Sequence, residues 1–151
     1  MQIRDVLTHK GNRVVAIWTT RVVRDALRLL EENGIASLVV TNYEGRPLGL
    51  VSDRELIGTL ARHGERAFDF GVVDVMISPP PTCGPETSVQ QALRKMTEQR
   101  VRHLIVQESG ETRGIVSIGD LVKARLEDAE TESRVLRDMA RGQIFLSGEQ
   151  R

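Results

Sequence analysis

The stretch GIVSIGDL, residues 114–121, decides the fold because the chain carries it twice. Its counterpart is GLVSDREL, residues 49–56, which repeats the glycine, the hydrophobic pair, the serine and the acid 65 positions earlier (114 − 49). Upstream of each stretch, LVV at 38–40 matches LIV at 104–106 at an offset of 66 (104 − 38). The change of offset by one residue falls in a turn, where a duplicated fold tolerates a deletion. The sequence therefore predicts two copies of one structural unit.

Each copy has the pattern helix-strand-helix-strand-strand-helix. The helix after the first strand has apolar residues at i, i+3, i+4 and i+7, the spacing of one buried face. Candidate caps for these two helices are Thr19 or Thr20 in the first copy and Thr87 or Ser88 in the second. Two β-rich runs separated by a polar turn follow and predict an antiparallel hairpin. The repeated apolar positions are Val23, Ala26, Leu27 and Leu30, and Val89, Ala92, Leu93 and Met96.

This order of elements predicts an α+β fold in which two small sheets, each flanked by helices, pack as a pseudo-two-fold pair. We expect one domain at residues 1–66, a second at 67–126, and a helical extension with a tail at 127–151. In the extension, acids precede arginines, an order that suits the helix dipole. Its face is either solvated or packed on a partner subunit through Val135, Leu136 and Met139, and we expect the chain to fray from Ile144.

Composition excludes several classes of function. The chain has 21 basic and 21 acidic residues and a pI near 6.8, so its net field attracts neither nucleic acid nor an anionic membrane. Residues 1–10 are charged and no apolar run approaches membrane-spanning length, which favours a cytoplasmic protein. The only cysteine, Cys83, is expected to be a small strand residue without chemistry of its own.

Both copies place a serine at the end of a strand and an acid three residues later: Ser52 with Glu55, and Ser117 with Asp120. One interpretation is a capping box, in which the serine caps the helix and the acid reaches back to the serine amide. The other is a nucleotide site, in which the helix N-terminus meets phosphate and the carboxylate accepts hydrogen bonds from two ribose hydroxyls. The motif by itself leaves both open.

Basic residues distinguish the two copies. Arg100, Arg102 and His103 precede the second central strand, where the first copy has Gly34, Ala36 and Ser37. These side chains either supply cations for a phosphate or alternate outward into solvent. In the neighbouring turns, Gly119 leaves space for a base or sugar, and Arg54 offers a positive charge to the first copy.

At these residues the chain resembles the cystathionine-β-synthase (CBS) domain family, specifically two CBS domains in tandem, called a Bateman module. The stretches that carry the resemblance are VDVM at 73–76, RVRHLIV at 100–106 and GIVSIGDLVK at 114–123, and it covers about residues 1–126. It implies a ribose contact at Asp120 beside Ser117, Ile118 and Gly119, phosphate contacts from Arg102 and His103, and an adenine pocket along Thr82 and Cys83. It also implies a dimer of CBS pairs.

The resemblance implies a second site in the first copy, formed by Ile17, Trp18, Ser52, Arg54 and Glu55. Glu55 stands where the family usually has aspartate, and its additional methylene moves the carboxylate enough to disturb a bidentate ribose contact. Trp18 is open to two interpretations, base stacking and ordinary packing.

These observations favour a non-catalytic, energy-sensing regulatory module that binds an adenine nucleotide, with AMP ahead of ATP and NADH, and acts through an unidentified effector protein. The three histidines, His9, His63 and His103, are scattered and lack metal-ligand spacing, so we assign no catalytic residue and no metal. The alternative is a dimeric adaptor in which the serine-acid motifs serve only as helix caps.

Overall fold

The computed structural model describes residues 1–148, and the side chains through Gly142. The first copy consists of α1 (Ile3–Lys10), β1 (Ala16–Trp18), α2 (Val23–Asn33), β2 (Ser37–Thr41), β3 (Pro47–Ser52) and α3 (Asp53–His63). A 3₁₀ helix (Gly64–Asp69) leads into the second copy. That copy consists of α4 (Val72–Val75), β4 (Thr82–Cys83), α5 (Val89–Gln99), β5 (His103–Glu108), β6 (Glu111–Ser117) and α6 (Ile118–Gly148). The predicted order of elements is confirmed in both copies.

Each copy contains one three-stranded sheet with the same topology. The central strand pairs in parallel with the short first strand and antiparallel with the third, in the orders β1-β2-β3 and β4-β5-β6. The predicted hairpins are therefore present. In the antiparallel register Ser37 lies opposite Ser52, and His103 lies opposite Ser117. This pairing brings the start of each central strand next to the serine of the serine-acid motif.

The first helix of each copy packs against the other copy. Ile3 and Val6 of α1 are buried in the second core with Val89 and Met96. The Ile3 amide donates to the Thr87 carbonyl at 2.9 Å. The short helix α4 is exchanged in the same way, since Val72 is buried in the first core. The position of a helix in the chain therefore does not show which core it completes.

The two sheets meet in a core of their own. Val39, Leu50, Ile105 and Ile115 are buried together, with Val14 packed against them. All four buried residues lie on the hairpin strands, so the hairpins supply this contact. The pseudo-two-fold packing predicted from the repeat is confirmed.

The helix caps differ from the prediction in the first copy. Neither Thr19 nor Thr20 is the N-cap of α2; the helix begins after Val22, whose amide donates to Asp25 Oδ2 at 3.2 Å. Arg21 and Val22 extend the chain past the threonines, because Arg21 closes a turn on the Trp18 carbonyl. In the second copy Ser88 caps α5 as predicted, accepting from the Gln91 amide at 3.0 Å.

The last helix extends past the folded body. Leu121 and Ala124 are buried against the second core, whereas every residue from 125 to 142 is exposed. The helix continues to Gly148, beyond the position Ile144 at which we expected fraying to begin, and residues 149–151 lie outside the described part of the chain. Across residues 1–148, no helix combines the length and apolar character needed to span a membrane.

Candidate functional site

The second serine-acid motif forms the start of α6. The Ser117 amide donates to Asp120 Oδ2 at 2.8 Å, and the Asp120 amide donates to Ser117 Oγ at 3.1 Å. This reciprocal pair is a complete capping box. The Asp120 side chain is nevertheless 25% exposed, so its carboxylate borders open space. The capping interpretation and a ligand role are thus compatible in geometry.

A lysine from α1 meets the same carboxylate. Lys10 Nζ lies 2.6 Å from Asp120 Oδ2 and donates to the Ile115 carbonyl at 2.7 Å. Burial by itself raises the pKa of Asp120, but hydrogen bonds from Lys10 and Ser117 together with the lysine charge outweigh it and hold the pKa below its usual 3.8. Asp120 is therefore a carboxylate at neutral pH, paired with a cation 110 positions away in the chain.

A cavity of about 360 Å³ lies beside this pair. Its volume falls within the range of about 300–1,000 Å³ typical of small-molecule sites. Lys10, Arg13 and His103 supply basic groups, and Ser117 supplies a hydroxyl. The remaining lining residues are apolar or small: Val15, Ile35, Ala36, Ser37 and Ile115.

Lys10 separates this cavity from a second one. The second cavity, of about 480 Å³, lies between α1 and α6 and contains Asp120, Lys123 and Glu127 in its wall. Lys10 lines both cavities, while Ser117 lines only the first and Asp120 only the second. Lys10 is therefore the lining residue that the two cavities share.

Sequence reasoning missed Lys10 and Arg13. Both belong to the end of α1 and the segment after it, and they reach the second motif because α1 is exchanged onto the second core. No local pattern marks them. The only signal is that two cations close to the first strand have no counterpart in the Ser78-Pro79-Pro80-Pro81 segment of the second copy.

His103 stands between the two motifs. It is 9% exposed and lines both the 360 Å³ cavity and a gap at the first motif. Burial lowers the pKa of His103 below its usual 6.5, and the nearby Asp53, Glu55 and Asp120 carboxylates only partly oppose this. The imidazole is therefore neutral at pH 7 and offers one donor and one acceptor nitrogen.

The first motif is closed. The Ser52 amide donates to Glu55 Oε2 at 2.7 Å, and the Ser52 hydroxyl donates to the same oxygen. The space beside them measures only about 10 Å³, which is at the lower limit of what a single water needs. Arg54 lines it and donates to the Arg100 carbonyl at 3.3 Å. The longer acid at position 55 folds back on its own serine.

Arg102 lies at this first motif and not in the cavity beside Asp120. It lines the small gap with Ser52 and Glu55, while its backbone carbonyl accepts from the Ile118 amide at 2.8 Å. Each motif therefore faces the segment that leads into the other copy's central strand. The structure thus brings Ser117, Asp120 and His103 together. Arg102 lines the gap at the first motif, with Ser52 and Glu55.

The other predicted site residues are distributed around the fold. Thr82 and Cys83 pair with Ile105 and Val106, on the side of β5 opposite to β6, and neither lines the 360 Å³ cavity. Burial raises the pKa of the Cys83 thiol to about 11, against a smaller lowering by Lys95. Ile118 and Gly119 form the first turn of α6.

Ile17 and Trp18 lie in a different cleft from Ser52. Ile17 is buried, whereas Trp18 is half-exposed and its ring centroid lies 4.9 Å from that of Tyr43. The cleft has a volume of about 370 Å³ and is also lined by Arg21 and Arg28. The structure thus does not join these two residues to the first motif.

The fold and the paired serine-acid helix starts define the class of this protein. The chain belongs to the CBS-domain family, which matches residues 3–62 and 72–127. It is 30% identical over 148 residues to the mitochondrial CBS domain-containing protein CBSX3 of Arabidopsis thaliana, covering 93% of this chain and 72% of that protein.

Two solved structures show the same fold. The CBS-domain protein ATU1752 of Agrobacterium tumefaciens superposes with a TM-score of 0.80 at 33% identity, covering 83% of this chain and 99% of that one. The CBS domain protein PAE2072 of Pyrobaculum aerophilum, complexed with AMP, gives a TM-score of 0.70 at 25% identity, covering 80% and 89%.

Proposed function

We propose that this protein is a non-catalytic regulatory module that binds an adenine nucleotide, AMP ahead of ATP or NADH, at the second serine-acid motif. The observation that carries the proposal is the Asp120 carboxylate, held at a helix start beside a cavity lined by Lys10, Arg13 and His103. A carboxylate suits a ribose diol, and cations suit a phosphate. The AMP complex of the related PAE2072 supports the choice of ligand.

In this proposal each group of the site has one role. Asp120 accepts from the ribose hydroxyls, while Arg13 and His103, which line the cavity, contact the phosphate. Arg102 is proposed for the phosphate of the first-copy site, because it lines the gap there. That site needs Glu55 to leave Ser52 before a ligand enters. The second copy is thus the principal site.

The fit to a nucleotide can be judged from the residues present. The apolar residues Val15, Ile35 and Ile115 suit the face of a base, and the two basic residues Lys10 and Arg13 suit a phosphate.

A second copy of the chain is proposed as one partner, because Ile57, Ile118 and Val122 are large apolar side chains exposed on α3 and α6. An effector protein, still to be identified, completes the regulatory role.

The alternative function is a dimeric adaptor that needs no ligand. It is favoured by one observation, that in both motifs the acid accepts from the serine amide at the start of its own helix, and in the second motif the capping box is complete. In an adaptor the carboxylates would act only on their own helices. The two functions therefore differ in what the loss of Asp120 does to ligand binding.

The test is thermal unfolding of the wild type, Asp120→Ala and Asp25→Ala against AMP, ADP, ATP, NADH, S-adenosylmethionine and adenosine. Asp25 is the matched control, since it caps α2 from outside the site, and each variant should lose about 1 kcal/mol of stability. A ligand at about 100 times its dissociation constant adds about 2.7 kcal/mol, a shift of several degrees. The nucleotide function requires that this shift survive in Asp25→Ala and disappear in Asp120→Ala. If no ligand shifts the wild type, the adaptor is the better description.

A further inference from the structure

The outer part of α6 has no packing partner within the described chain. Residues 125–142 are all exposed and extend for about 27 Å at 1.5 Å per residue. Most helical stability in proteins comes from tertiary packing of an apolar face, and this segment has none within one copy of the described chain. None of the ion pairs among the described residues involves this segment, although Glu130 and Arg134 are four positions apart. A partner outside one copy of the chain would stabilise it by covering its apolar side chains.

An apolar seam runs along this part of the helix. Leu126 and Leu136 are each 60% exposed, and Ala129 and Ala140 lie on the same line. With Ser133 at the centre the positions follow each other by 3, 4, 3 and 4 residues, the spacing of a seam between two paired helices. Small alanine side chains let a facing helix approach closely. The seam thus has the pattern of a helix that pairs with another helix.

The charges on the segment divide at the middle of this seam. The first half carries four acids and one arginine, and the second half carries three arginines and one acid. These residues are Arg125, Glu127, Asp128, Glu130 and Glu132, followed by Arg134, Arg137, Asp138 and Arg141. In a parallel pair like charges would face each other, whereas an antiparallel pair sets each acidic half against a basic half. The segment is therefore complementary to its own reversed copy.

We infer that residues 128–141 of α6 pair antiparallel with the same segment of a second copy of this chain. The pair crosses between Ser133 and Leu136, so that Ala129 of one copy faces Ala140 of the other. In this register Glu130 and Arg137, which flank one side of the seam seven residues apart, lie about two residues, or 3 Å along the axis, from each other across the pair. The contact is separate from the nucleotide cavity and from the apolar side chains exposed on the folded body.

Disulfide trapping distinguishes the orientations. The chain has a single cysteine, Cys83, which is buried, so an introduced cysteine reports alone. Ala129→Cys and Ala140→Cys are made separately in full-length protein of two different masses. In the antiparallel register each position lies about 16 Å along the axis from its own copy, too far for a disulfide, while 129 and 140 share a layer. We expect a mixed disulfide between the two variants and none within either variant alone.

Two results would overturn the inference. Disulfides within each variant alone mean a parallel pair, and no disulfide in any mixture means that the segments do not pair. As an independent check, Arg137→Glu should weaken self-association several-fold, and the swap E130R/R137E should restore it because opposite charges again meet. Ligand-induced thermal shifts should be equal in all of these variants, so failure of this pairing is distinguishable from failure of the proposed nucleotide function.

Discussion

Replacing Lys10 by methionine should make the site bind adenosine more tightly. In the structure Lys10 Nζ donates to Asp120 Oδ2 at 2.6 Å. This is the carboxylate that we propose for the ribose. A nucleoside must therefore share or displace this lysine. Methionine keeps the length and apolar stem of the side chain and removes only the charge, so the exchanged helix α1 retains its packing on the second core.

The size of the effect follows from the geometry of the pair. At 2.6 Å in a water-like dielectric the attraction is about 1.6 kcal/mol, and the hydrogen bond to the Ile115 carbonyl adds about 1 kcal/mol. Fixing a lysine side chain costs about 1.5–2 kcal/mol, and the Lys10 side chain is still 36% exposed. The net value of about 1 kcal/mol lies at the upper end for solvent-accessible ion pairs. Binding that no longer breaks the pair should be about fivefold tighter.

Calorimetric titration with adenosine and with AMP measures this change. The gain for AMP should be smaller, because a displaced Lys10 ammonium remains in the wall of the cavity and can meet the phosphate. Lys123→Met is the matched control: it removes the same charge from the adjoining cavity, where Lys123 donates none of the hydrogen bonds to Asp120. Adenosine affinity that is unchanged or weaker in Lys10→Met would refute the competition between lysine and ribose.

Three further predictions concern pH and packing. Because the pKa of Asp120 is lowered on folding, its ionisation stabilises the fold at pH values above 3.8, and this stabilisation is lost as the pH falls through the folded-state pKa. The difference in stability between the wild type and Asp120→Asn should therefore shrink over that range in acid titrations monitored by circular dichroism. Burial lowers the pKa of His103, so the unfolded chain binds a proton there more readily than the folded chain as the pH drops below about 6.5. In urea unfolding the wild type should therefore lose stability relative to His103→Gln below that pH, and a difference that stays constant with pH would contradict a lowered pKa. Alanine at Gly114 would place its Cβ 2.8 Å from Leu7 Cδ2, and alanine at Gly49 would place its Cβ 3.0 Å from the Ile77 carbonyl oxygen. Each substitution should lower the free energy of unfolding by about 1–3 kcal/mol in thermal unfolding, whereas Gly142→Ala, whose Cβ meets no neighbour within 4 Å, should not lower it.

The sequence was sufficient to predict the elements and the duplication. Helices, strands and hairpins follow from spacing within about ten residues, and the offset of 65 between the stretches at 49–56 and 114–121 links the two copies. The hydrogen-bonded pair Ser117 and Asp120 could be predicted for the same reason, since a motif of four residues is local. The preference for serine as an N-cap predicted Ser88 correctly. Thr19 and Thr20 are not caps, because a turn closed by Arg21 on the Trp18 carbonyl lies between them and the start of α2.

What the sequence could not predict depends on contacts between the copies. The exchange of α1 is set by the fit of Ile3 and Val6 into one of two similar cores, and both cores offer the same kind of apolar surface. Lys10 and Arg13 reach the cavity only through that exchange. That Arg102 lines the gap at Ser52 and not the cavity at Ser117 likewise depends on which copy faces which motif. Periodicity says which side chains are buried but not against which partner.

The exchanged helices bear on how such a chain can have arisen. A single unit with this pattern would hold its first helix away from its own core, leaving the positions of Ile3 and Val6 in that core uncovered. A second unit would supply the helix that covers this core. In the present chain α4 of the second copy covers the first core in the same way. The unduplicated ancestor would thus have been stable only as an associated pair. The segment 64–71 ties that pair into one chain, which replaces a concentration-dependent association by an intramolecular one.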